Sequence, residues 1–395
     1  MGRNLIYSLR RLVCIFLSPL IYLVAILLPK KNSRYCFGAW FGRAYSDNSR
    51  YLFEAANDYD DIDAIWITKS IQVENSLRRM GLSVHNAYSL SGMFYQLTSE
   101  VMFCSVNSRD LNPFCIGPKT KLIQLWHGLP LKKIGYDVKI TGLKRLKRWL
   151  RQKTVDNYSG IISPSSLFDK IFMSAFNMPE EKIIRSPYPR CVGMFQLENS
   201  QTKLKKMYGV LSGKKVALYL PTHRDEGKSI TVISDTVSEL VKHDNLLEKL
   251  DLQIIVKLHF YDLKFIDHLK SSKNVILIYE NIDIYPLLAI SDSLVTDYSS
   301  VIFDYYYLNK PIIIHAPDVF EYKRKNRDLY LDICNIFSPD SETVEELLDQ
   351  LESSVINNQS GELVFQSQNS GLVAVDDNQF GRDCFLSIRN YLMDH

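Results

Sequence analysis

Short apolar runs alternate with amphipathic segments along most of this 395-residue chain, and that rhythm constrains its fold more than any other feature. DAIWIT (63–68), VMFCSV (101–106), KLIQLWH (121–127) and GIISPS (160–165) read as buried strands, preceded by a first strand at 35–41. Between them, NSRYLFEAAND and SIQVENSLRRMG carry apolar residues at helical spacing. Residues 192–215 hold no strand pattern and read as a linker plus a helix. The rhythm then resumes with KVALYLP (215–221), LQIIVKLH (252–259), NVILIYE (274–280), SLVTD (293–297) and PIIIHAP (311–317). Val-, Ile- and Leu-rich runs divided by helices predict parallel sheets covered on both faces. The expected fold class is α/β, with two Rossmann-like domains facing a cleft. Its boundaries are a membrane-associating segment at 1–31, domains at 32–195 and 205–375, and a terminal helix at 376–395 that crosses back to the first domain.

Ligands of such sheets gather at the carboxyl ends of the strands, and polar residues collect at those points here. LWHGLPLKK places His127 after one strand, with Lys132 and Lys133 behind it. LPTHRDE places Thr222, His223, Arg224 and Asp225 after another, VKLH ends on His259, and VTDYSS brings Thr296, Asp297, Ser299 and Ser300 to a helix start. Capping explains one such cluster, since Thr, Asp and Ser satisfy free N–H groups at helix starts. Four of them, with histidines and cations, point to an anionic, phosphate-containing substrate. Ser299 and Ser300, aided by Thr296, are candidates to hold phosphate oxygens, and Arg224 and a lysine to offset charge on a leaving phosphate. Either His127 or His259 has the chemistry to deprotonate an attacking hydroxyl. Asp297 repels phosphate and is expected to orient Arg224, a histidine or the backbone. GRAYSDNSR is either a further cleft loop, with Asn48 as a candidate substrate contact, or a simple turn.

A formal net charge of +3 implies no nucleic-acid partner. The Walker-type phosphate loop is missing, which disfavours a nucleoside triphosphatase. Seven scattered cysteines form no zinc spacing, and no carboxylate cluster demands a metal, although magnesium paired with a diphosphate is compatible. Residues 12–29 are uncharged and flanked by Arg10, Arg11, Lys30 and Lys31, which suits either a span or an interfacial anchor on an anionic membrane surface. KITGLKRLKRWLRQK (139–153) has the pattern of a basic amphipathic helix, suited either to such a surface or to solvent.

LWHGLPLKKIGYD, LPTHRDE, KLH and TDYSSVIFDYYYLNKPIIIHAPDVFEY, in that order, resemble the CDP-glycerol glycerophosphotransferase family of teichoic-acid and capsule synthesis over roughly 35 to 335. The resemblance implies a GT-B-like fold with an N-terminal acceptor domain and a C-terminal nucleotide domain. It implies a peripheral location on the cytoplasmic face of the membrane, CDP-glycerol as donor and CMP as product. The implied acceptor is a lipid-linked saccharide or a growing polyol-phosphate chain. By similarity His127 is the base, His259 the second important histidine, and Thr296, Asp297, Ser299 and Ser300 lie around the diphosphate with Arg224 nearby. Arg327 matches an arginine close to the substrate. RDLYLDI lacks the glycine that the family carries there, so CDP-ribitol stays open as an alternative donor, and a nucleotide-sugar glycosyltransferase is the rival reading.

Overall fold

The computed structural model describes residues 2–130, 133–138, 158–198, 200–223, 228–259, 262–280, 282–319, 330, 340–356 and 383–394. Arg224, Arg327, Lys132 and the basic stretch 139–153 lie outside the described residues. The chain divides into two compact units, one of Met1–His127, Gly135–Val192 and Ala374–His395, the other of Gly128–Ile134 and Gly193–Val373.

The first unit is built on seven parallel strands: β1 (Lys31–Gly38), β2 (Asp63–Thr68), β3 (Val84–Asn86), β4 (Ser99–Cys104), β5 (Lys121–Gln124), β6 (Tyr158–Ser163) and β7 (Ile183–Arg185). Their order, β3-β2-β1-β4-β5-β6-β7, reverses direction between β1 and β4. That is the switch point at which open α/β sheets gather ligands. The first strand starts and ends a few residues before the expected 35–41, because Trp40 and Phe41 take left-handed backbone (φ 46° and 59°) and close it at Gly38. Side chains of the sheet and of the helix Asp47–Ala56 interlock in a fully buried aromatic core. Phe37 stacks on Phe103 with centroids 4.7 Å apart, and Phe53 meets Trp66 edge-on at 5.6 Å. The terminal helix Asp383–Asp394 packs on this unit, where Tyr391 donates to the Ser159 carbonyl (2.7 Å) and Lys121 to that of Leu392 (2.8 Å).

The second unit carries β8 (Lys215–Leu220), β9 (Leu252–Lys257), β10 (Val275–Ile278), β11 (Ser293–Thr296) and β12 (Ile312–Ile314) in the parallel order β10-β9-β8-β11-β12. Here the switch falls between β8 and β11. Every residue of β9 and β11 is buried, as a sheet covered on both faces requires.

The N-terminal apolar stretch is a correction. Residues 12–29 do not form one helix: Gly2–Phe16 and Ser18–Leu27 are two helices bent by 69°. Pro19, near the start of the second, has no N–H to donate and its ring crowds the preceding turn, so the helical ladder bends there. Among the described residues no single helix is long and apolar enough to cross a membrane. Cys14, Ile21 and Ala25 turn inward, whereas Leu12, Phe16, Leu20, Leu23 and Leu27 are exposed.

Truncating Phe103 to alanine removes a ring from the centre of the first unit and is expected to cost about 3–5 kcal/mol of its stability. Urea denaturation followed by tryptophan fluorescence reads the loss, because Trp66 reports on the same core; an unchanged midpoint would contradict this packing.

Candidate active site

His127 sits just past β5, on a loop that the backbone does not adopt cheaply. Trp126 before it has a φ of 58° and Gly128 after it a φ of 139°. A bulky residue in the left-handed region costs about 1–2 kcal/mol, so neighbouring groups must hold the loop. Gln124 Oε1 accepts from the Trp126 N–H (2.9 Å), and Asn48 Nδ2 donates to the carbonyls of Leu125 (2.9 Å) and Trp126 (3.1 Å). Asn48 is fully buried and its Oδ1 accepts from the Arg190 N–H at 3.3 Å. Its amide is therefore committed to the loop, which makes it a positioning residue; the expected substrate contact gives way to this role. Asp47 and Arg190 beside it form a buried ion pair at 2.9 Å.

The His127 ring is fixed in a definite tautomer. Nδ1 lies 3.0 Å from the Ser105 carbonyl oxygen, which only accepts, so Nδ1 carries the proton and Nε2 the lone pair. Trp126 and Trp40 flank the ring, with centroids at 4.5 and 5.8 Å. Burial lowers the His127 pKa, against the opposing pull of Asp47 and the Ser105 hydrogen bond and with a smaller push from Arg190. A neutral imidazole with its Nε2 unprotonated is the form that a general base requires.

In the second unit the loops after β8 and β11 are clamped together. Thr296, fully buried, donates its hydroxyl to the Leu220 carbonyl at 2.6 Å, joining the ends of the two strands. The Asp297 carboxylate accepts from the N–H groups of Thr222 (2.9 Å) and Tyr298 (2.7 Å). The backbone is among the partners expected for Asp297, and these contacts show it in that role. Ser299 and Ser300 stand partly exposed at the start of the helix Val301–Tyr306, and the Ser299 hydroxyl accepts from the Val301 N–H at 3.3 Å. The four residues thus divide into a buried pair that shapes the loop and an accessible pair of hydroxyls.

His259 ends its run two residues past β9, its ring 5.5 Å from that of His223 and nearly parallel to it. His223 Nδ1 lies 2.9 Å from both carboxylate oxygens of the buried Asp262, so this histidine is oriented by an acid. The outer edge of His259 is open to solvent, but protein crowds the rest of its ring. That desolvation, reinforced by His223 and Lys257 and opposed by Asp262, pushes its pKa down to about 4. Among the described residues no group of His, Cys, Asp and Glu is arranged to hold a metal ion.

Reading strand ends located both histidines and the VTDYSS loop, but it passed over the groups that hold them. Asp262 and Ser105 carry no motif, and Asp110, a buried carboxylate behind the His127 loop, lies in the turn Ser108–Asp110 with nothing in its surroundings to single it out.

The chain is similar in sequence and in fold to known proteins. A family model for CDP-glycerol:poly(glycerophosphate) glycerophosphotransferase matches residues 20–382. The chain is 30% identical over 316 residues to the teichoic acid glycerol-phosphate transferase of Staphylococcus aureus, covering 77% of this chain and 79% of that protein. It is also 30% identical over 344 residues to the teichoic acid ribitol-phosphate primase of Bacillus spizizenii, with 84% and 85% covered. Among solved structures, the wall teichoic acid polymerase TagF superposes with a TM-score of 0.76 at 24% identity, over 100% of this chain and 99% of that one.

The depressed His259 pKa has a consequence for stability. Between about 4 and the ordinary value of 6.5, the unfolded chain binds more protons at this position than the folded one, so stability rises with pH across that window. The contribution is in place above the upper value and is lost as pH falls toward the lower. A His259→Gln variant is expected to lose less stability than the parent over this interval, measured as urea midpoints. Parallel losses in the two proteins would show that His259 titrates normally.

Proposed function

The chain belongs to the CDP-glycerol:poly(glycerophosphate) glycerophosphotransferase family and is an enzyme of that class; from that premise we propose that it moves glycerol phosphate from CDP-glycerol to a membrane-linked saccharide or polyol-phosphate acceptor. The observation that carries the reading is the His127 tautomer, with Nδ1–H bound to the Ser105 carbonyl and the Nε2 lone pair available as a base. An acceptor hydroxyl attacks the β-phosphorus of the donor. Its oxygen forms the new P–O bond, its proton passes to His127 Nε2, and the bond between the β-phosphorus and the bridging oxygen breaks to release CMP. Phosphoryl transfer leans on electrostatic stabilisation, which this reading assigns to Ser299 and Ser300 with Arg224, Arg327 and Lys132. His259 orients the phosphates or protonates the leaving group. Thr296 and Asp297 act by holding the Ser299 loop in shape. Magnesium, if recruited, would pair with the diphosphate.

A ribitol-phosphate transfer is the second reading, favoured by the similarity to the ribitol-phosphate primase. Release of CMP by the purified protein, with a membrane-derived acceptor and CDP-glycerol or CDP-ribitol in parallel, separates the two. Replacing His127 by alanine is expected to lower the rate by about 10²–10⁴-fold, the usual worth of general-base help. No CMP from either donor, with folded protein and acceptor present, would send the search to nucleotide sugars.

The same proposal places the enzyme on the cytoplasmic face of a membrane, held by the outer side of the bent N-terminal helices. Phe16 is 86% exposed and Leu27 70% exposed, and Arg10, Arg11, Lys30 and Lys31 border the apolar stretch 12–29, as interfacial helices on anionic lipid require. Flotation with vesicles containing anionic lipid is expected to carry the parent protein upward and to leave a Phe16→Asp, Leu20→Asp double variant at the bottom. Equal flotation of both would move the membrane contact elsewhere.

A further inference from the structure

Behind His127 lies a second element of the site, formed by one peptide group and a buried carboxylate. The peptide unit between Ser105 and Val106 is used at both ends. Its carbonyl, on Ser105, accepts from His127 Nδ1 at 3.0 Å, and its N–H, on Val106, donates to Asp110 Oδ2 at 2.8 Å. The same Oδ2 accepts from the Ser105 N–H at 2.8 Å, and Oδ1 accepts from the Phe41 N–H at 2.7 Å. Asp110 is fully buried, so these donors stand in for water. Packing fixes its place as well: a Cβ on Gly38, the last residue of β1, would come within 2.8 Å of the Asp110 carbonyl oxygen, so only glycine lets the turn sit this close. The Ser105 side chain is held too, by the Ser49 hydroxyl at 2.8 Å.

We propose that Asp110 is the orienting carboxylate of His127, acting through the Ser105–Val106 peptide group. The inference rests on His127 being the base. In familiar carboxylate–histidine pairs the acid accepts the Nδ1 proton directly and fixes tautomer and ring orientation. Here a peptide dipole is interposed. The anion pulls on the Val106 N–H, the polarised carbonyl becomes a better acceptor, and the bond to His127 Nδ1–H strengthens, as chained hydrogen bonds in a low-dielectric site do. The arrangement also ties the Trp40–Phe41 turn, which flanks the imidazole, to the same anion. Asp110 is a positioning residue: its effect reaches the reaction only through His127.

The charged state of the relay depends on pH. Burial raises the Asp110 pKa to about 7, while the N–H donors of Val106, Phe41 and Ser105 and the ammonium of Lys69 pull it back. Among the described residues, Lys69, Cys104 and Tyr158 are titratable groups that feel its charge. The relay is therefore complete only once Asp110 has ionised, so the parent enzyme should gain activity with rising pH near neutrality.

The test is the pH profile of kcat for Asp110→Asn beside the parent and His127→Ala. The asparagine keeps the volume but turns an NH2 toward N–H donors. The expected result is a kcat lower by about 10–100-fold, an unchanged KM for the donor, and an acid limb moved to lower pH, since His127 alone then governs it. A loss due only to loosened structure would leave the limb in place and overturn the proposal. So would parental kcat and an unmoved limb in Asp110→Asn alongside an inactive His127→Ala. An active His127→Ala would instead remove the base itself. Nitrogen NMR of histidine-labelled parent protein decides the matter if the variant fails to fold. A His127 Nδ1–H resonance that shifts as Asp110 titrates supports the relay, and an Nε2–H tautomer overturns it.

Discussion

The loops of this protein that carry chemistry depend on buried side chains that hold backbone groups left over at strand ends. A parallel sheet covered on both faces leaves only its edges for function, and the chain must turn there out of reach of its own hydrogen-bond ladder. Asn48 gathers the carbonyls of Leu125 and Trp126, Asp110 gathers three N–H groups from two turns, and Asp297 gathers those of Thr222 and Tyr298. Such groups are expensive to bury alone and stable only when fully satisfied. That demand makes the loops definite in shape, and the reactive side chains inherit the definition.

Sequence reading recovers this architecture where the physics is periodic and loses it where the physics is local. The run DAIWIT is β2 residue for residue, because a buried parallel strand is written in consecutive apolar residues. β3 and β7, with three residues each, leave no run long enough to notice, and they are edge strands of their sheet. At the N-terminus hydropathy left a span and an interfacial anchor open, and the bend near Pro19 removes the single-helix span. At the site, motif residues were legible and their assignments were not. Thr296 and Asn48 read as ligand contacts, yet both spend their polar atoms inside the protein. Asp110 had no signal, since a carboxylate in a turn is commonplace until its partners are known.

The two units use the same sheet logic for different ends. Each reverses strand order once, between β1 and β4 in the first and between β8 and β11 in the second, and each sets its polar loops after the strands at that reversal or next to it. The first holds a neutral, tautomer-fixed imidazole among indole rings. The second holds two histidines, an orienting acid and a pair of accessible hydroxyls. Membership of one family is compatible with glycerol- and ribitol-phosphate relatives at equal identity. The polyol must therefore be discriminated by fewer residues than fix the fold.

The return of the chain to its first unit bears on how the protein is made. Helix Asp383–Asp394 packs Phe385 against Tyr35 and Tyr59, and Tyr391 reaches Ser159. The first unit is thus synthesised early but completed last, after about 190 further residues beyond Val192 have been made. At ordinary translation rates that is an interval on the order of ten to forty seconds. Throughout it the nascent chain carries an unfinished apolar surface, while the second unit already has all of its strands. A ribosome that stalls near the end of the message therefore releases a chain whose second unit has all of its strands and whose first unit still lacks its closing helix.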